Sequence, residues 1–186
     1  MNIITIYKSH LYSVRYEEED ENEFDRLLGL WNNVQYLVDF FEENKALLSN
    51  AVWSRVSKPE AAALQVTSEA QELETLFDEL AENTDEGKKP DFDNHFKYLG
   101  GKYKYLLEYE PMKSYGTASP SLIRLYAIKL QPNTYLITGG GIKLADTIQN
   151  SPGLKDNVIG NIDKVRNYLN DNGIMDSEDL EGWDNN

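Results

Sequence analysis

Arg124 lies inside an apolar, β-branched and aromatic run, residues 121–130 (SLIRLYAIKL). A guanidinium in such a strand is costly unless it meets a counter-charge or an anion. Strand periodicity places Tyr126 on the same side as Arg124 and Lys129 on the other. Further along, Lys143 ends a second apolar run, TYLIT, closed by Gly139-Gly140-Gly141. Upstream, Lys97 precedes KYKYLLEYE (102–110), where Lys102 and Lys104 share one face and Tyr103 and Tyr105 the other. Two chemistries fit Arg124: binding of an anion, above all a phosphate, or an ion pair with an acid of the helical half. Both remain open on the residues alone. Lysines on a half-buried strand are ordinarily solvated.

Other chemistries are poorly served. The triple glycine lacks the spacing of a phosphate-binding loop and its Lys-Ser/Thr ending, so tight backbone geometry explains it better. With no cysteine and only His10 and His95, thiolate zinc sites and histidine metal centres are not expected, nor is any cofactor. The absence of cysteine fits a reducing cytosol, and no run of apolar residues is long enough to span a bilayer. The net charge of −14 argues against nucleic acid, but its distribution argues otherwise. Residues 16–86 carry −15 and residues 146–186 carry −6, whereas residues 87–145 carry +5. The arginine therefore centres the one distinctly basic segment.

Several elements must position these side chains. Residues 3–7 and 11–16 read as two short strands turning at Ser9-His10. Seven acids in the nine residues 17–25 read as a solvated lead-in to a helix capped by Asp20 or Asn22. Phe24, Leu27, Leu28, Trp31, Val34, Val38 and Phe41 recur at helical spacing and predict one amphipathic helix over 24–48. Ser57-Lys58-Pro59-Glu60 is a capping box opening either one bent helix or two in succession, ending near Asn83. Its expected buried face is Leu64, Leu73, Leu76, Phe77 and Leu80. Residues 85–90 break the chain between a helical and a strand-rich half. Three sequential strands follow, with a ten-residue loop expected at 111–120 and a Gln131-Pro132-Asn133 turn. A last helix, capped at Ser151-Pro152, carries the stripe Val158, Ile162, Val165, Leu169 and stops at Gly173. The fold class is α+β, a small antiparallel sheet with N-terminal helices packed on one face and a C-terminal helix. A single domain is expected over 1–175, divided as 1–16, 20–86, 91–145 and 151–172. An acidic, loosely held tail (176–186) follows, from which Leu180 and Trp183 are the residues able to dock.

Three short motifs in this order suggest a family. They are Phe96-Lys97-Tyr98-Leu99-Gly100, then Leu122-Ile123-Arg124-Leu125-Tyr126, then Leu136-Ile137-Thr138-Gly139-Gly140-Gly141-Ile142-Lys143. Their sequence along the chain, from about 91 to 173, resembles the RelE/ParE/HigB superfamily of toxins. The chain differs from that family in its acidity and its enlarged helical half. The resemblance implies a type II toxin–antitoxin component, a metal-independent endoribonuclease cutting translated messenger RNA on the ribosome. In that reaction the 2′-hydroxyl attacks the adjacent phosphate and leaves a cyclic phosphate. Arg124 and Lys143 would fall on the family's basic positions, with Tyr126 stacking a base or donating a proton. Lys97, Lys102 and Lys104 would hold flanking phosphates. Fixed Arg and Lys donors suit the negative charge that grows on such a transition state. A cognate antitoxin, expected to be a helix-turn-helix protein, would be the protein partner. The alternative is a non-catalytic, protein-binding module on the same fold, as in the ParE branch.

Overall fold

The computed structural model describes residues 1–85, 91–100, 109–154 and 158–183. The chain folds as β1 (Asn2–Tyr7), β2 (Leu11–Arg15), α1 (Glu23–Asn32), α2 (Val34–Glu43), α3 (Lys45–Leu48) and α4 (Pro59–Asp85), then β3 (Lys97–Tyr98), β4 (Glu110–Tyr115), β5 (Ile123–Gln131), β6 (Thr134–Ile142), α5 (Val158–Asn172) and α6 (Ser177–Trp183). Short 3-10 turns lie at Ala51–Val56 and Phe92–Asn94. The sheet has six strands in the order β1-β2-β6-β5-β4-β3. This is the expected α+β class, with a larger sheet than expected and a mixed one, because β2 pairs with β6 in parallel.

Strand alternation sorts the core into two layers. On one face Leu11, Leu125, Ala127, Tyr135 and Ile137 pack against Phe24, Leu27, Trp31 and Phe77 of the N-terminal helices. On the other, Tyr12, Val14, Ile128 and Leu136 meet Val165 and Leu169 of α5. Leu180 of α6 joins that second layer at 3% exposure, so residues 177–183 are a docked helix rather than a loose tail. The expected stripe of α5 is buried throughout, and Gly173 ends it at φ +64°.

The helical half departs from expectation in three places. The single helix expected over 24–48 breaks at Asn33, whose extended backbone stops α1 while its side chain accepts from the Tyr36 amide and opens α2. An asparagine that satisfies both helix ends makes the break inexpensive. Asn22 caps α1, accepting from Phe24 and Asp25 amides. Leu64 is 65% exposed rather than buried; Ala62, Ala63, Val66 and Ala70 face the core instead, and α4 runs unbroken for 27 residues.

In the strand-rich half, residues 110–115 are a strand where a loop was expected. Pro111 is tolerated near the start of β4, close to the sheet edge. The strand expected over 102–110 lies outside the described residues up to 108. The glycines 139–141 lie within β6 rather than closing it. A Cβ on Gly140 would sit 2.5 Å from the Arg124 carbonyl oxygen, and one on Gly141 would sit 2.3 Å from that of Gly153. Backbone passes too close for side chains there. Ser151 does not cap α5: its hydroxyl accepts from the Ala145 amide and donates to the Thr147 carbonyl, closing a separate turn.

Candidate functional site

The β4–β5 register carries Arg124 to its neighbours. Tyr115 pairs with Arg124 and Lys113 with Tyr126, while Lys97 on β3 pairs with Lys113. Directly paired residues share a face, so Lys97, Lys113, Tyr115, Arg124 and Tyr126 all look out on the α5 side. The long N-terminal helices cover the opposite side.

Three cations converge on one ring. The Arg124 guanidinium lies 4.2 Å from the Tyr115 centroid, with the ammonium groups of Lys113 at 5.8 Å and Lys97 at 5.9 Å. The aromatic face attracts each of them. Tyr115 itself stays 36% exposed. Arg124 donates to the carbonyls of Ser121 (3.0 Å) and Ile123 (2.6 Å). Desolvation draws its pKa below the usual guanidinium value, opposed by Tyr115, Tyr126 and Glu69; an arginine remains charged throughout.

Lys143 extends the group from the end of β6. Its ammonium donates to the carbonyls of Ala145 (2.7 Å) and Asp146 (2.9 Å). Burial lowers its pKa, helped by the charges of Arg124 and Lys113 and opposed by Asp146. Among the described residues, none of Lys97, Lys113, Arg124 or Lys143 is ion-paired. The helix carboxylate nearest in sense, Glu69, is used elsewhere. It accepts from the Ser121 hydroxyl (2.5 Å) and the Leu122 amide (3.1 Å), tethering the segment before β5 to α4. The ion pair considered for Arg124 is therefore not made with the helical half among the described residues.

Of the residues singled out in the sequence, Lys97, Arg124 and Lys143 come together on one face. Tyr126 shares their side of β5, but its ring is 1% exposed beneath Leu154, Val158 and Ile162. Desolvation pushes its phenol up to about 12. A buried ring offers no face for a base to stack on, which corrects the stacking role expected of it. Lys102 and Lys104 lie outside the described residues. Lys113 and Tyr115 were missed because they were assigned to a loop. The alternation of Met112 and Ser114 with Lys113 and Tyr115 is the signal that finds them.

Comparison with protein families, curated proteins and solved structures gave no match.

Proposed function

We propose that the chain contacts single-stranded RNA through Lys97, Lys113, Tyr115, Arg124 and Lys143. In line with the RelE/HigB resemblance, it acts as the endoribonuclease toxin of a type II toxin–antitoxin pair, restrained by a cognate antitoxin. The observation that carries the reading is the meeting of three cations on the half-open ring of Tyr115, in a chain of net charge −14. Cations without an ion pair among the described residues, assembled against such a background, call for an anion, and an aromatic among them suits a base beside its phosphate. Tyr115 takes the stacking part that the burial of Tyr126 denies to that residue.

In the cleavage step the 2′-oxygen attacks phosphorus as its proton passes to water, the bond from phosphorus to the 5′-oxygen breaks, and that oxygen takes a proton from water, leaving a 2′,3′-cyclic phosphate and a 5′-hydroxyl. Arg124 and Lys113 stabilise the charge on the non-bridging oxygens. Lys143, close enough to Arg124 and Lys113 for their charges to act on it, adds its ammonium to that stabilisation.

The test is binding and cleavage of labelled single-stranded RNA by the purified chain, beside Arg124→Ala and Tyr115→Ala. Each substitution is expected to weaken binding about tenfold or more, the loss of one charged contact or one stacked base. Expression without the antitoxin is expected to slow growth and deplete transcripts, and Arg124→Ala to relieve both. An unmodified chain that ignores RNA at low salt and is harmless in cells would overturn the proposal. A second reading, binding without cleavage, is favoured by the donors of Arg124 and Lys143 that are already held by backbone carbonyls. RNA retained but never cut would select it.

A further inference from the structure

A second site lies along the free edge of β6, apart from the cation cluster. Pairing of β2 with β6 stops at Ser13 and Ile137. The β5–β6 register then slips between Tyr126 and Ala127, leaving Thr138 as an extra residue on β6. Such a bulge bends the strand away from its old neighbour. Beyond it β5 is the one strand paired with β6 among the described residues.

The backbone groups on that edge can be assigned. The Lys143 amide donates to the Leu122 carbonyl, so residues 143, 141 and 139 face β5, while 142, 140 and 138 turn outward. The Thr138 carbonyl accepts from the Tyr16 hydroxyl at 2.8 Å. Ile142 is covered by Gly153, whose Cβ position would fall 2.9 Å from the Ile142 oxygen and 3.1 Å from its nitrogen. At Gly140 no described residue bonds to the outward N–H and C=O.

That open pair looks into a cleft of about 640 Å³. Leu27, Leu30, Phe40 and Ile142 supply an apolar floor, and Glu23 and Arg26 close one wall as a bidentate pair, both bonds 2.8 Å. The lining carries Glu17, Glu18, Glu19 and Glu23 against Arg26 and Lys164, and is acidic on balance. Glu17 is occupied by the N-terminal amine at 2.9 Å, whereas Glu18 and Glu19 are exposed and make no ion pair among the described residues.

The geometry points to this cleft as a docking site for an extended, basic segment of a partner protein. One residue of the segment pairs through both backbone hydrogen bonds with Gly140, an apolar side chain fills the floor, and lysine or arginine side chains reach Glu18 and Glu19. An unpaired N–H and C=O on one strand residue is what strand addition uses. The cleft is too large for one side chain, and the charge of its mouth selects the sign of the segment. This site is independent of the RNA-contacting face.

The experiment pans a random octapeptide library against the full chain and measures the peptides recovered. Enrichment in lysine and arginine is expected. Glu18→Lys combined with Glu19→Lys, both on exposed positions, is expected to weaken the selected peptides about tenfold or more. Hydrogen exchange at the Gly140 amide is expected to slow when peptide binds. The proposal fails if no peptide is enriched, if charge reversal leaves affinity unchanged, or if binding leaves Gly140 exchange untouched. Spermidine slowing the same amide to the same degree would overturn it in favour of a small polycation site.

Discussion

Lys143 is held in an unusual state for a lysine at the end of a strand. Burial and the charges of Arg124 and Lys113 disfavour its ammonium, so it loses its proton at a lower pH than an ordinary lysine. The sign for anion binding follows directly. Below that depressed pKa the cluster carries all four charges; above it the cluster carries one fewer, while exposed lysines remain protonated. Affinity for RNA should therefore decline as pH is raised toward the ordinary lysine range, ahead of the general lysine titration. Lys143→Arg, which keeps its charge, should flatten the decline. Affinity profiles of the two proteins across that range check this, and identical profiles would remove Lys143 from the site. Tyr115 sits at the opposite extreme: alternation can place it on a strand, but its importance comes from a cross-strand partner that only the register supplies.

Local order was legible where neighbours in sequence are neighbours in space. The β5–β6 hairpin around Pro132-Asn133, the Asn22 cap, the start of α4 and the stripe of α5 are all written in residues three or four apart. The parallel β2–β6 pairing, the bulge at Thr138 and the seating of Lys113 beside Tyr126 depend on segments far apart in the chain, where periodicity is silent. The hairpin also carries a clamp. Asp93 accepts from the Asn133 amide (3.0 Å), the Tyr135 hydroxyl (2.5 Å) and Lys129 (2.9 Å). Partial burial works to raise its pKa, but these donors outweigh it and the net shift is downward. A carboxyl held below its unfolded value adds stability that is fully present above the unfolded pKa and fades as pH falls through the folded one. The stability gap between the unmodified chain and Asp93→Asn should thus be open at neutral pH and close below about pH 4. Urea unfolding at several pH values checks it, and a gap that widens on acidification would contradict the clamp. Glycine roles separate in the same assay. Gly140→Ala forces a methyl onto the Arg124 carbonyl and should cost about 1–3 kcal/mol. Gly29→Ala, inside α1 with nothing within 4 Å of the new carbon, should be neutral or stabilising by roughly 0.5–1 kcal/mol.

Across the whole molecule the two halves oppose each other electrostatically. The chain carries −14 overall, yet Lys97, Lys113, Arg124 and Lys143 gather on the sheet face turned away from α1–α4. At low ionic strength the distant acids still repel RNA, because the Debye length is about 10 Å at 0.1 M and longer below it. Near physiological salt that repulsion is screened, and the contacts that count are those made at short range. Four phosphate contacts on a single strand predict a slope of log affinity on log salt of about −3, since each contributes about 0.7. Arg124→Ala should make the slope shallower by about 0.7 while lowering affinity at every salt concentration. Reversing an exposed acid of α4, Glu79→Lys, should act differently. It should raise affinity at low salt through the long-range field and leave the slope above about 0.15 M unchanged. Titration of labelled RNA from low to high salt separates the two effects. A slope near zero, or an Arg124→Ala slope equal to that of the unmodified chain, would mean that the cluster around Tyr115 does not touch phosphate.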